Sequence, residues 1–146
     1  MTRRQKLIGV SISVSLFVAS LFFPAFNTDR SASEGWNSFS LLTTGWFGVL
    51  LGGAGISWMA NPLIILSWFF ILKKPKSSAI LSSTASLIAF SFLLFHRIIS
   101  DEAGNYSAIT EKRPGYWLWL TSIGFFAIIS VADILFMRKR TRLNVL

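Results

Sequence analysis

Asn61 and Pro62 lie near the middle of a long apolar run, 46–72. Proline has no backbone N–H and interrupts a helical ladder, and an amide side chain away from water must find partners. Asn is a favoured N-cap and Pro a favoured first helical residue. The dipeptide therefore predicts the end of one half-helix and the start of the next. Two roles follow: a structural cap that repairs the gap, or a polar position on a conduction path or substrate site, as in carriers with broken helices. Asp133 is the one acid inside an apolar run. Such residues hold ions or protons, or pair with cations. Arg138–Arg142 and the basic amino terminus are close enough in the expected topology to make an ion pair the structural alternative. His96, the only histidine, could join Asp101, Glu102 and Glu111 as a metal site. No spacing compels that arrangement, one imidazole is a weak anchor, and Arg97 beside it opposes a cation.

The remaining catalytic inventory is thin. The chain has no cysteine, which excludes disulfides, thiolate chemistry and zinc–sulfur sites. It has no HExxH, no phosphate loop and no Ser/His/Asp set in a recognisable context. Acid–base work by Glu102 or Glu111 is the enzymatic reading that remains. No cofactor and no metal are expected. Gly52-Gly53-Ala54-Gly55 lacks the strand–turn–helix unit of a nucleotide site. Gly48 and Gly52 instead form a GxxxG pair, and with Gly53 and Gly55 they predict close helix packing.

Four apolar runs must position these residues, and they predict spans at about 7–23, 46–72, 79–99 and 116–137. Each approaches the roughly 20 residues that cross a bilayer core. The second is too long for an upright crossing, which predicts a kink at Asn61-Pro62 or tilt. Ten of the fourteen Lys and Arg residues sit in three clusters: Arg3, Arg4 and Lys6; Lys73, Lys74 and Lys76; and Arg138, Lys139, Arg140 and Arg142. Segments 24–45 and 100–115, with Arg97 at the boundary of the second, together carry one net negative charge. By the positive-inside rule both termini face the cytoplasm and these two segments are outer loops. The +8 formal charge is thus spent on orientation, and nucleic acid is not an expected partner. The 17-residue first run with no small-x-small exit is read as a retained span and not a cleaved signal. Ser11, Ser15 and Ala19 on the first span, and Ser78, Ser82 and Ser86 on the third, are small stripes suited to helix contacts. Trp36, Trp46, Tyr116, Trp117 and Trp119 predict an aromatic belt at the outer interface. The expectation is one all-α domain, 1–146: an antiparallel four-transmembrane-helix bundle with a kinked second helix.

Three strings add a resemblance: Leu21-Phe22-Phe23-Pro24-Ala25-Phe26, Gly45-Trp46-Phe47-Gly48 leading to Trp58-Met59-Ala60-Asn61-Pro62-Leu63, and Glu102-Ala103-Gly104 leading to Gly115-Tyr116-Trp117-Leu118-Trp119-Leu120. Together they resemble a group of small, uncharacterised four-span proteins of bacterial inner membranes. The resemblance implies that topology and a bacterial inner membrane, and carries no activity with it. Some members of the group have cysteines in the first outer loop, which this chain lacks.

The functional expectation is a non-enzymatic integral membrane protein that acts through a protein partner, as an immunity-type protein or an accessory subunit of a membrane complex. The alternative is a homo-oligomeric channel or small transporter built on the broken second helix and the serine stripes. A membrane enzyme using outer-loop carboxylates comes third.

Overall fold

The computed structural model describes residues 1–31, 35–101 and 104–143. Glu34, Glu102, Ala103 and the side chains of Arg140 and Arg142 lie outside the described residues. Helix α1 covers Arg3–Ser20 and is followed by strand β1, Pro24–Thr28, and strand β2, Trp36–Asn37. Two short helices come next, α2 (Ser38–Thr44) and α3 (Trp46–Leu51), then a 3-10 segment, Gly53–Met59. It runs into α4, Ala60–Lys73, and α5, Pro75–Ser91, returns after a single residue. Strands β3 (Arg97–Ile99) and β4 (Tyr106–Lys112) precede the long α6, Pro114–Leu143.

Helix α1 starts on a capping box: Thr2 Oγ1 accepts from Gln5 N and Gln5 Oε1 accepts from Thr2 N. Pro75 is the first residue of α5, where its missing N–H is no loss. Lys6 of α1 meets Asp133 of α6, and Ser13 meets Ser122 further along, so the two run antiparallel. Ser67 against Ser78 closes the α4–α5 hairpin near its turn. The core is mixed: Phe17, Ile64, Ala85, Ala89, Ile123 and Phe126 are buried together with Ser13, Ser67, Ser78, Ser82 and Ser122.

The all-α four-span bundle is corrected on two counts. First, the segments expected as outer loops hold a four-stranded antiparallel sheet in the order β2-β1-β4-β3. β1 is buried from Ala25 to Thr28 on both faces, so it lacks the alternation that marks a half-buried strand. Second, among the described residues three helical stretches, not four, are long and apolar enough to cross a membrane: Gly53–Lys73, Pro75–Leu94 and Pro114–Lys139. α1 is not one of them. Arg3, Arg4 and Lys6 fill its first turn and it stops at Ser20, which leaves an apolar length of about 21 Å at 1.5 Å per residue against a hydrocarbon core of about 30 Å.

The run 46–72 is also not one kinked helix. The break falls at Gly52-Gly53, both at positive φ (79° and 59°), which separates α3 from the segment entering α4. Gly52 at ψ −160° occupies a region open essentially to glycine alone. Gly48 and Gly55 then meet backbone to backbone within this fold-back: a Cβ on Gly55 would sit inside the Gly48 carbonyl. Gly48 therefore closes a local bend with Gly55, while Gly52 supplies the break, and the GxxxG pair does not join two long helices.

Candidate functional site

Asn61 is the second residue of α4, whose N-cap is Met59, with no side-chain cap. Pro62 follows in the first turn, where proline is tolerated. Asn61 is thus neither cap nor break. It is 7% exposed and its Oδ1 accepts the Trp119 indole N–H at 2.8 Å, which ties α4 to the start of α6. Among the described residues its Nδ2 donates to no protein acceptor.

Trp36 of the expected belt, and Trp58 and Trp68 outside it, are also bonded inward. Trp58 Nε1 donates to Leu42 O at 3.0 Å, Trp68 Nε1 to Ser13 Oγ at 3.0 Å, and Trp36 Nε1 to Thr28 Oγ1 at 3.3 Å. A buried indole needs such a partner, and the partners are spread along the chain, so spacing alone did not show them.

Asp133 is fully buried. Its Oδ2 lies 2.6 Å from Lys6 Nζ, and its Oδ1 lies 3.2 Å from the Met1 amino group. The pair forms because α1 and α6 are antiparallel, which carries the basic start of the chain to a point two-thirds of the way along α6. The Lys6 side chain is 12% exposed and reaches the protein edge.

His96 is exposed. Its carbonyl accepts from Ile109 N at 2.8 Å, as part of the sheet. Asp101 is held by Arg30 at 3.4 Å and accepts from Asn105 N and Nδ2. Glu111 lies against Arg113 and Asn27, each at 3.2 Å. Among the described residues no three His, Asp or Glu side chains gather as metal ligands. Glu102, named for metal binding and for acid–base work, lies outside the described residues.

Buried serines, Ser78 and Ser82 of the expected third-span stripe among them, are used inside the protein. Ser13 Oγ donates to Ser122 O at 3.0 Å, and Ser122 Oγ returns a bond to Ser13 O at 2.9 Å. Ser67 and Ser78 make the same reciprocal exchange at 2.9 and 2.8 Å. On α1 the buried stripe is Gly9, Ser13, Phe17 and Ser20, whereas Ser11 and Ser15 face outward. Helical spacing was read correctly there and its phase was not.

One feature was not expected. A cavity of about 650 Å³ opens between the sheet, the α2–α3 elbow and the entry of α6. Its walls are apolar and aromatic, with Phe17, Phe26, Leu42, Trp58 and Tyr116 among them. Polar residues line it too, among them Ser57 and Asn61 where the 3-10 segment enters α4, and Ser100 and Asp101 beside the sheet. Ser57 is 4% exposed, and among the described residues its buried hydroxyl has no hydrogen-bond partner. No local spacing signals it, because its walls come from α1, the sheet, the α2–α3 elbow and α6. No family model, curated protein or solved structure matches this chain.

Proposed function

We propose that this is a non-catalytic membrane protein that works by binding a protein partner at its sheet-capped end, as an immunity-type protein or an accessory subunit would. Three apolar helices long enough to span give it a membrane setting. The clusters at Arg3–Lys6, Lys73–Lys76 and Arg138–Lys139 lie at the end away from the sheet, which supports a cytoplasmic basic end and an outer sheet in a bacterial inner membrane.

The observation that carries the reading is the exposed apolar elbow beside the sheet. Phe39, Trp46, Phe47, Leu50 and Leu51 are 45–76% exposed on two helices too short to span. Exposed apolar surface of this kind marks contact with a partner or with lipid. By contrast, the polar groups that a channel would need are engaged within one chain: Asn61 with Trp119, Ser13 with Ser122, Ser67 with Ser78 and Asp133 with Lys6.

Photo-crosslinking in native membranes tests this. A benzoylphenylalanine at Phe47 or Tyr106 should yield a discrete protein adduct, and one at Leu72 should not. Adducts only from Leu72, or none at all, would sink the reading.

A further inference from the structure

We infer that the 650 Å³ cavity holds one acyl chain of a phospholipid from the leaflet on the sheet side, with the lipid head group at Ser100, Asp101 and Arg30. The size lies within the roughly 300–1,000 Å³ of small-molecule pockets. Most of the wall is apolar, and the polar side chains along its depth are largely engaged within the protein. Ser20, Ser38 and Thr44 donate their hydroxyls to the carbonyls of Phe17, Phe23 and Ser40, and Asn61 Oδ1 accepts from Trp119. The Ser57 hydroxyl is buried and does not open onto the space. Such an interior selects by apolar contact, which is what a hydrocarbon tail offers.

The depth matches one leaflet. Asn61 is the furthest lining residue along the span that starts at Gly53. Rises of about 2.0 Å per residue through the 3-10 segment and about 1.5 Å in α4 put it about 15 Å below that start. Half of a roughly 30 Å hydrocarbon core is the same length. Leu50 and Leu51, 76% and 53% exposed, line the cavity immediately before the span, so a tail enters sideways from the hydrocarbon layer. Ser100 and Asp101 follow β3, outside the spans. Arg30 donates to both, at 3.4 Å each. This exposed pair presents one charge of each sign. A phosphoethanolamine head carries the complementary two, a phosphate for Arg30 and an ammonium for Asp101.

The inference goes beyond partner binding and stands or falls separately from it. The test uses the full chain in a short-chain detergent, followed by native mass spectrometry and thermal unfolding. Three probes separate tail from head: palmitoyl lysophosphatidylethanolamine, cetyl alcohol as the tail without charges, and glycerophosphoethanolamine as the head alone. One lysolipid per chain is expected, with a raised midpoint. Cetyl alcohol should bind more weakly, and the head alone should not bind.

Leu42→Trp, at a half-buried position on the wall, should abolish binding of both tail-bearing probes by filling the space. Arg30→Gln changes a side chain that is 58% exposed, so it should fold as the wild type does. It should weaken lysolipid binding by about two- to fivefold, the worth of one exposed charge contact, and leave cetyl alcohol unchanged. The inference is overturned if no lysolipid is retained, if the head alone binds as well, if Leu42→Trp with wild-type helical circular dichroism still binds the lysolipid, or if Arg30→Gln binds it undiminished.

Discussion

Removing Lys6 should destabilise the protein more than removing its partner Asp133. Asp133 is fully buried and cannot reach water. The Lys6 chain is 12% exposed at the edge, so its ammonium can swing to solvent once unpaired. Lys6→Met strands a carboxylate. Breaking a buried pair from one side costs about 3–5 kcal/mol, and the Met1 amino group at 3.2 Å keeps the expected value near the lower bound. At about 2–4 °C per kcal/mol for a chain of this size, the midpoint should fall by roughly 6–12 °C. Asp133→Asn should cost only about 1–2 kcal/mol, because it leaves a neutral amide and a mobile ammonium. The double variant Lys6→Met/Asp133→Leu should recover most of the loss, since an apolar replacement of a buried pair is often neutral. Thermal unfolding in micelles of Lys6→Met, Asp133→Leu and their double variant completes a cycle that gives the coupling. If Lys6→Met stays within about 0.5 kcal/mol of wild type, or the double variant is no better than either single, the pair does not hold α1 to α6 and the reasoning fails.

Three further outcomes follow from the geometry. Trp119→Phe deletes the donor to Asn61 and should cost about 1–3 kcal/mol, read as a lowered unfolding midpoint with the helical circular dichroism unchanged. Gly55→Ala drives a methyl into the Gly48 carbonyl and should cost at least about 1–3 kcal/mol. Gly124→Ala meets only Ser86 Oγ at 4.0 Å and should be tolerated, so equal midpoints for the two would refute the close approach. Ser13→Ala removes both the bond to Ser122 and the acceptor of Trp68. It should lower the midpoint by more than Ser11→Ala, whose side chain faces outward.

Three apolar stretches were legible as spans because hydrocarbon length and helix rise leave little freedom. The α4–α5 reversal at Lys73–Pro75 was legible for the same reason, since proline and charge both end a span. α1 was over-read: residues 21–23 looked like more helix, but the chain leaves α1 to start β1 at Pro24. The sheet was hidden by a different physics. β1 pairs with β4 from the far side of the sequence, and its burial on both faces removes any period. The need of Asp133 for a cation was visible from its apolar neighbours. That Lys6 of the basic amino terminus meets it depends on the antiparallel docking of α1 on α6. Ser57 looked unremarkable because what distinguishes it is a bond it does not make.

The β1–β4 pairing also dictates an order of assembly. Asn27 and Glu111 are neighbours in the sheet yet lie 84 residues apart in sequence, whereas Ser67 and Ser78 of the α4–α5 hairpin are 11 apart. Closing the long loop carries its entropy before the contact rewards it. As the chain leaves the ribosome, the hairpin can form while β1 still waits with one edge unpaired. The sheet, and the chamber beneath it, therefore close last, after most of the polypeptide has been made. Until then β1 is a bare strand edge, the kind of surface that pairs with the wrong neighbour.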